Sequence, residues 1–533
     1  MSLKRRSPRT IALACAFSFI LTAGVLAATL PSVPESVDTI TPSELRMHLE
    51  FLASDELGGR YTLSPSFGIA ARYLAAHLKG YGFVGGAKDG SFLQNFEVAS
   101  TKADPARTRL ELTLDGKTET LKLGDDFVTG TDSAAGDVAG EIVFLGTGIS
   151  APEQQHDDYK GVDVKGKIAL LVSANPVGLD LSHIEREQEG GLAAAAHGAV
   201  GVLTIPPQRF LENMKKKSVM QAVATRERVT LAAPSAEKRI PMLTLGPDLA
   251  EKLLRSAGLD LTKAFEIAQR KEAAKAVPMK ASAKMGVGLV EARTATQNVV
   301  GILPGSDPKL KDEYVAFSAH YDHLKAGPNG EIYHGADDDG SGTSAILTIA
   351  HAMAKERPKR SIVIIFHAGE ELGLLGSSYN TDVNPAVPLQ KIVADFNIDM
   401  IGRSKPLGDT ASADEHLTDA NTVYLVGSDR ISRELHGISE QTNQQFQKLK
   451  LDYYYNDPAN PERIYYRSDH WNYARHGIPV IFYFDGTHVD YHRPTDTVDK
   501  IDFDKMTKVA RLVFETGWRV AELDHRLAIG AAN

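Results

Sequence analysis

From Gln297 onward the chain alternates short apolar runs with helical stretches, and no other feature narrows its fold as much. The runs are Asn298 to Leu303, Tyr314 to Ala319, Ile362 to His367, Ile392 to Ile398, Thr422 to Val426 and Val480 to Phe484. Helical segments fall between several of them, such as Ser341 to Lys355, which Pro358 stops. Short buried strands alternating with helices predict an α/β fold, with a central, mostly parallel mixed sheet flanked by helices.

At 533 residues the chain exceeds the size at which one core stops growing, so more than one domain is expected. From about Thr108 the pattern changes to short strands with turn signals: Leu110 to Leu114, Glu141 to Leu145 and Lys167 to Val172. A helix-like Gly191 to His197 then leads to Val200 to Ile205. Ahead of this, Thr41-Pro42-Ser43-Glu44 reads as a capping box opening a helix with Leu45, Leu49 and Leu52 at helical spacing. A second helix is predicted from Phe67 to Tyr81, closed by Gly82. Asp55 to Arg60 between them has turn chemistry and no evident catalytic meaning. The map that follows is a signal peptide at 1–27, a linker at 28–40, and an N-terminal helical part of the main domain at 41–107. A β-rich α+β insertion occupies 108–285 and the catalytic domain 290–533. The run Lys215-Lys216-Lys217 in the insertion reads as a solvated face.

The N-terminus carries Lys4, Arg5, Arg6 and Arg9 ahead of an apolar run from Ile11 to Leu26 and the small residues Ala27 and Ala28. That is the pattern of a secretory signal, with cleavage expected after Val25-Leu26-Ala27 and a periplasmic or secreted product. The apolar run is about 16 residues, short of the roughly 20 a retained span needs, so no stable membrane insertion is expected after cleavage. The single cysteine, Cys15, lies inside that run, so the mature chain is expected to hold no disulfide. The net charge of −9 becomes more acidic once the leading basic residues are removed, which argues against nucleic acid as a partner.

The chemistry-bearing residues sit where strands hand over to loops, the usual place for sites in open α/β sheets. His320 ends one run, Glu370 and Glu371 follow another, Asp399 ends a third, and His492 follows Val480 to Phe484 by one loop. An acidic triplet, Asp337-Asp338-Asp339, precedes the Ser341 helix. Three adjacent carboxylates are costly unless cations neutralise them. Any of the three could bridge two metals, and the others could cap the helix. Two imidazoles and three carboxylates form a mixed N/O set that suits a pair of zinc ions or similar metals. One of the two adjacent glutamates is left over to act as a base. Asp322, two residues after His320, suits fixing that ring's tautomer. His488 competes with His492 for the last ligand place, and Pro494 disfavours a helix there.

Taken as an ordered set, these motifs resemble the co-catalytic di-zinc exopeptidase family that includes secreted bacterial aminopeptidases, aminopeptidase S and Y, and the glutamate carboxypeptidases. The resemblance covers roughly residues 40–105 and 290–525. It implies two zinc ions per chain, with His320 and Asp399 on one, Glu371 and His492 on the other, and Asp338 bridging. It also implies Glu370 as general base, Asp322 as the orienting acid, and Tyr491 as a donor to the tetrahedral oxyanion. Ser468-Asp469-His470 and Gly477-Ile478-Pro479 also look like the family, where they are architectural. The insertion, through Asp163 to Ile168 and Gly198-Ala199-Val200-Gly201, resembles the protease-associated domain, an accessory that shapes the cleft.

The expected activity is that of an exported aminopeptidase, in which water held between the metals attacks the scissile carbonyl with Glu370 as base. A carboxypeptidase or an N-acyl amino acid hydrolase could use the same site, and arginines near the cleft would favour them. Glutaminyl cyclases share the fold but use one zinc. A receptor-like binding module would be expected to have lost the ligands, and here all are present. Tyr453-Tyr454-Tyr455 with Tyr465-Tyr466 could line an apolar pocket or simply pack.

Overall fold

A computed structural model describes residues 30–530, apart from 180, 182–183, 233–237, 328 and 458–459. The expected signal segment 1–27 lies outside the described residues. The main sheet contains β1 (Leu93–Ala103), β2 (Arg228–Leu231), β3 (Leu289–Leu303), β4 (Tyr314–His320), β5 (Ser361–His367), β6 (Ile392–Ile398), β7 (Thr422–Val426), β8 (Lys450–Asp452) and β9 (Val480–Phe484). They lie in the order β2-β1-β3-β5-β4-β6-β9-β7-β8, and a two-residue strand, Val84–Gly85, also pairs with β3. The central four, β5-β4-β6-β9, run parallel, whereas β2, β1 and β3 are antiparallel and β7 returns antiparallel to β9. The sheet is mixed with a parallel centre, as the apolar runs predict.

Those central strands are buried almost end to end because both faces are covered. Phe317, Ala319, Ile364, Phe366, Phe396 and Ile398 pack on one side with α1 (Pro42–Leu52), α2 (Phe67–Gly80), α3 (Gly342–Lys355) and α5 (Phe503–Glu522). The intervening Ala316, Val363, Ile365, Phe482 and Phe484 pack on the other side with Tyr455, Tyr465 and Tyr473. A further helix, α4 (Arg433–Gln445), lies against α5. Burying each of the phenylalanines contributes about 1.5–3 kcal/mol. α5 approaches β4 closely through Gly517, where a Cβ would collide with the Phe317 ring.

Two local expectations need correction, and one left open is decided. The stretch 41–107 is not wholly helical: β1 pairs with β3 from Leu93 to Ala103, and its polar, alternating sequence hides it from a search for apolar runs. The capping box is half formed. Thr41 Oγ1 accepts from Glu44 N at 3.3 Å, but the Glu44 carboxylate goes to His351 Nδ1 at 2.7 Å. The tyrosines of 453–455 and 465–466 pack mainly among themselves and their neighbours, with Tyr455 and Tyr465 buried in the core beneath β9.

A second sheet of eight strands runs between Arg109 and Val287 over its own core, which includes Leu112, Phe127, Phe144, Ile168, Leu170, Leu203 and Leu243. The same stretch also gives β2 to the main sheet. Arg228, at the start of β2, donates to the carbonyls of Thr129 and Gly130 in the second sheet and so ties the two together. In the lysine run, Lys215 meets Glu212 at 2.6 Å and Lys217 meets Asp125 at 2.9 Å. Among the described residues no helix is long and apolar enough to cross a membrane.

Candidate metal centre

The parallel register of the central strands brings their carboxyl ends level, with His320 beside His367 and Ser318 beside Asn397. The loops that leave those ends carry the predicted residues to one place. His320 Nε2 lies 3.4 Å from Asp338 Oδ1 and 3.6 Å from Asp399 Oδ1. On the other side of Asp338, His492 Nε2 is 3.1 Å from Asp338 Oδ2 and 3.1 Å from Glu371 Oε2. All five sequence-predicted ligands therefore converge, and Asp338 presents one oxygen to each group.

The neighbours of Asp338 in the triplet are occupied elsewhere. Asp337 accepts from Gly402 N at 2.6 Å and faces His488 Nε2 at 3.2 Å. Asp339 accepts from Gly342 N at 2.8 Å, at the start of α3, and from Met400 N at 3.2 Å. His488 is thus held on Asp337, away from the place that His492 fills. Asp496 accepts from the amides of both Asp337 and Asp338 at 2.9 and 3.2 Å and so fixes the turn.

Glu370 Oε2 stands 4.0 Å from His320 Nε2. Burial, together with Asp399, Glu371 and Asp469, pushes its carboxyl well above the ordinary range despite the opposing His320. For Glu371, burial and Asp338 push upward, but His323 and His492 outweigh them and hold it ionised. Burial opposes protonation of His492, but Asp338 and Glu371 raise its pKa to about 10. Asp322 lies beneath this layer. Its carboxylate accepts from Thr62 Oγ1 at 2.8 Å and from Glu370 N at 3.1 Å. His320 Nδ1 is nearer the Asp322 backbone carbonyl, at 3.2 Å, than the carboxylate, at 3.7 Å. Tyr491 stacks on the His492 ring at 3.9 Å, and its hydroxyl lies 3.5 Å from an Arg467 nitrogen. Burial raises its pKa and keeps the phenol protonated.

Two groups with no role read from the sequence belong to this centre. His323, fully buried, places Nδ1 2.7 Å from Glu371 Oε1. Its proximity to His320 in one loop was the available signal. Arg60 is 1 % exposed and donates to the carbonyls of Tyr321 (3.1 Å), Leu52 (2.6 Å), His334 (2.7 Å) and Gly335 (2.8 Å). It clamps both loops that carry ligands, and its charge faces Asp339, Asp322, Asp338 and Asp496. Contacts made to backbone carbonyls leave no trace in the side-chain pattern. The cavity over the centre is lined by Asp338, Glu370, Asp399, Tyr491 and His492 together with Met400, Ile464, Arg467, Phe482, Phe484 and Thr487.

The donor set fits metal ions. His320 Nε2, Asp338 Oδ2 and Glu371 Oε1 are buried without a hydrogen-bond partner, a costly state that coordination would relieve. The atoms cluster as His320, Asp338 and Asp399, and as His323, Asp338 and Glu371.

The paired carboxylate–imidazole groups stand at the carboxyl ends of a parallel α/β sheet, where donors of this kind can hold metal ions. Residues 298–517 match the model of peptidase family M28. A probable leucine aminopeptidase 2 of Aspergillus oryzae is 28% identical over 367 residues, 68% of this chain and 59% of that protein. Aminopeptidase YwaD of Bacillus subtilis is 38% identical over 109 residues, 20% of this chain and 22% of that protein. The chain thus spans less than two thirds of the length of these relatives. An aminopeptidase from Aneurinibacillus sp. strain AM-1 has a similar fold, with TM-score 0.54 and 19% identity over 93% of this chain and 98% of that one.

Proposed function

We propose that the chain is an exported aminopeptidase that uses two zinc ions to remove N-terminal residues from peptides. The observation that carries this reading is the sharing of Asp338 between two donor groups, several of whose buried atoms lack partners. His320, Asp338 and Asp399 would hold one ion, and Asp338, Glu371 and His492 the other, a mixed imidazole and carboxylate set that suits zinc. When bound, the ions would polarise the scissile carbonyl and lower the pKa of water. Bound cations would offset the neighbouring carboxylates and let Glu370 ionise, so that it can take a proton from the attacking water and pass it to the leaving amine nitrogen. Asp322, bonded to the Glu370 amide, holds the base in place. Tyr491, with its phenol proton retained, would donate to the substrate oxygen. The apolar wall of Met400, Ile464, Phe482 and Phe484 suits an apolar N-terminal side chain, in keeping with the name of the fungal relative.

Arg467 favours a second reading. A guanidinium on the cavity wall suits a substrate carboxylate, as a carboxypeptidase or N-acyl amino acid hydrolase would require. Rates on free, N-acetylated and C-amidated peptides separate the two. We expect acetylation to remove most of the rate and amidation to change little. Equal rates on free and acetylated peptides would move the assignment to the second reading.

The inserted sheet is proposed as a protease-associated accessory. In support, Thr131, Arg209 and Phe210 of the insertion and Asn460, Arg463 and Tyr466 of the catalytic part line one open cleft. Export rests on the N-terminal sequence alone. Mass spectrometry of the periplasmic or culture-fluid protein should find a chain that starts at about Ala28.

A further inference from the structure

The second donor group contains one imidazole more than its relation to the first requires. His323 Nδ1 lies 2.7 Å from Glu371 Oε1 and 3.8 Å from Asp338 Oδ2. The 2.7 Å pair is not aligned as a hydrogen bond, and His323 Nδ1, His323 Nε2 and Glu371 Oε1 are all buried without a partner. Glu371 is therefore flanked by two imidazoles, with Oε1 toward His323 and Oε2 toward His492. The two rings stand 5.8 Å apart, centroid to centroid, at 67°. The His323 ring has little freedom to turn away. Its face lies against Gly335, where a Cβ would meet His323 Cγ at 2.5 Å, and its side chain is 0% exposed.

We propose that His323 is a fourth protein donor to one of the two metal ions, making the centre unsymmetrical. On this assignment, which rests on the di-metal reading above, one ion is held by His323, Asp338, Glu371 and His492 and the other by His320, Asp338 and Asp399. A buried imidazole close to a carboxylate but unaligned with it matches two donors directed at a shared ion better than a donor–acceptor pair. The site with more protein donors binds more tightly and fills first. The other keeps more open positions for water and substrate, as a catalytic ion needs.

X-ray absorption at the zinc edge of the native protein tests this without any substitution. Three imidazoles shared over two ions are expected, and two would overturn the proposal. Titration of the metal-free protein with cobalt gives a second readout. His323→Ala should weaken one of the two ions by at least 10–100-fold and change its d–d absorption, leaving the other unaffected. Asp399→Ala should weaken the opposite ion and spare the first equivalent. His323→Gln, closer in volume, replaces the alanine variant if circular dichroism shows the latter misfolded. Both ions bound at native affinity, with an unchanged spectrum, in a folded His323 variant would remove the proposal and leave the di-metal reading intact. A native protein that binds no divalent ion would instead remove that underlying reading.

Discussion

Glu370 and Glu371 are adjacent, yet their surroundings set opposite protonation states. Glu371 lies between two imidazoles, whereas Glu370 has carboxylates on several sides and one imidazole at 4.0 Å. Glu370→Gln should therefore lower turnover by about 10²–10⁴-fold with metal content near native, and Glu371→Gln should lose metal. Elemental analysis beside a rate measurement checks both, and the reverse pattern would exchange their roles. This division could be anticipated from the sequence only through the family resemblance, since spacing does not say where neighbouring side chains point. The triplet shows the same limit. Asp338 becomes distinct only when the turn directs Asp337 to Gly402 and His488, and Asp339 to Gly342 and Met400.

At the scale of elements, the buried parallel strands were legible because continuous apolar runs have few other uses. β6, β7 and β9 fall at the ends read from the sequence. β1 and β2 were not, since strands at the rim of a sheet are half polar and their pairing is decided by distant partners. The consequence is mechanical. β2 leaves the inserted stretch to pair with β1, and Arg228 holds the carbonyls of Thr129 and Gly130. Arg228→Ala should speed amide exchange in 128–131 and 228–231 without changing metal content. Hydrogen-exchange mass spectrometry reads this directly, and unchanged exchange would mean that strand pairing alone holds the two sheets together.

Over the whole molecule, many acids are buried away from the metal donors. Burial raises Asp395 to about 8, Glu515 to about 8 and Asp485 to about 7, although Asp485 lies 3.0 Å from Lys505. These groups hold protons in the folded state that the unfolded chain releases above the ordinary carboxylate range near 4. These acids therefore favour the unfolded state as pH rises from about 4 to about 8. The metal-free protein should melt at a lower temperature at pH 8 than at pH 6, and Asp395→Asn should flatten that slope. Metal retention should run the other way, because a metal must displace the proton from His492, whose pKa is about 10 in the metal-free centre. Calorimetry with and without chelator across this range separates the two trends. Equal slopes in both states would contradict the argument.

The reach of Arg60 has a consequence for biosynthesis. It lies near the start of the described chain, yet it holds carbonyls 261 and 275 residues further on, and His492 closes the same centre later still. A growing chain emerging N-terminus first has none of its distant partners in place, and contacts between such remote segments form late. The pocket comes into being only when nearly all of the polypeptide is present. On the proposed function, any ions would then be captured after synthesis is complete, from whatever compartment the finished chain folds in, and the metal supply there would set how much of the protein is loaded.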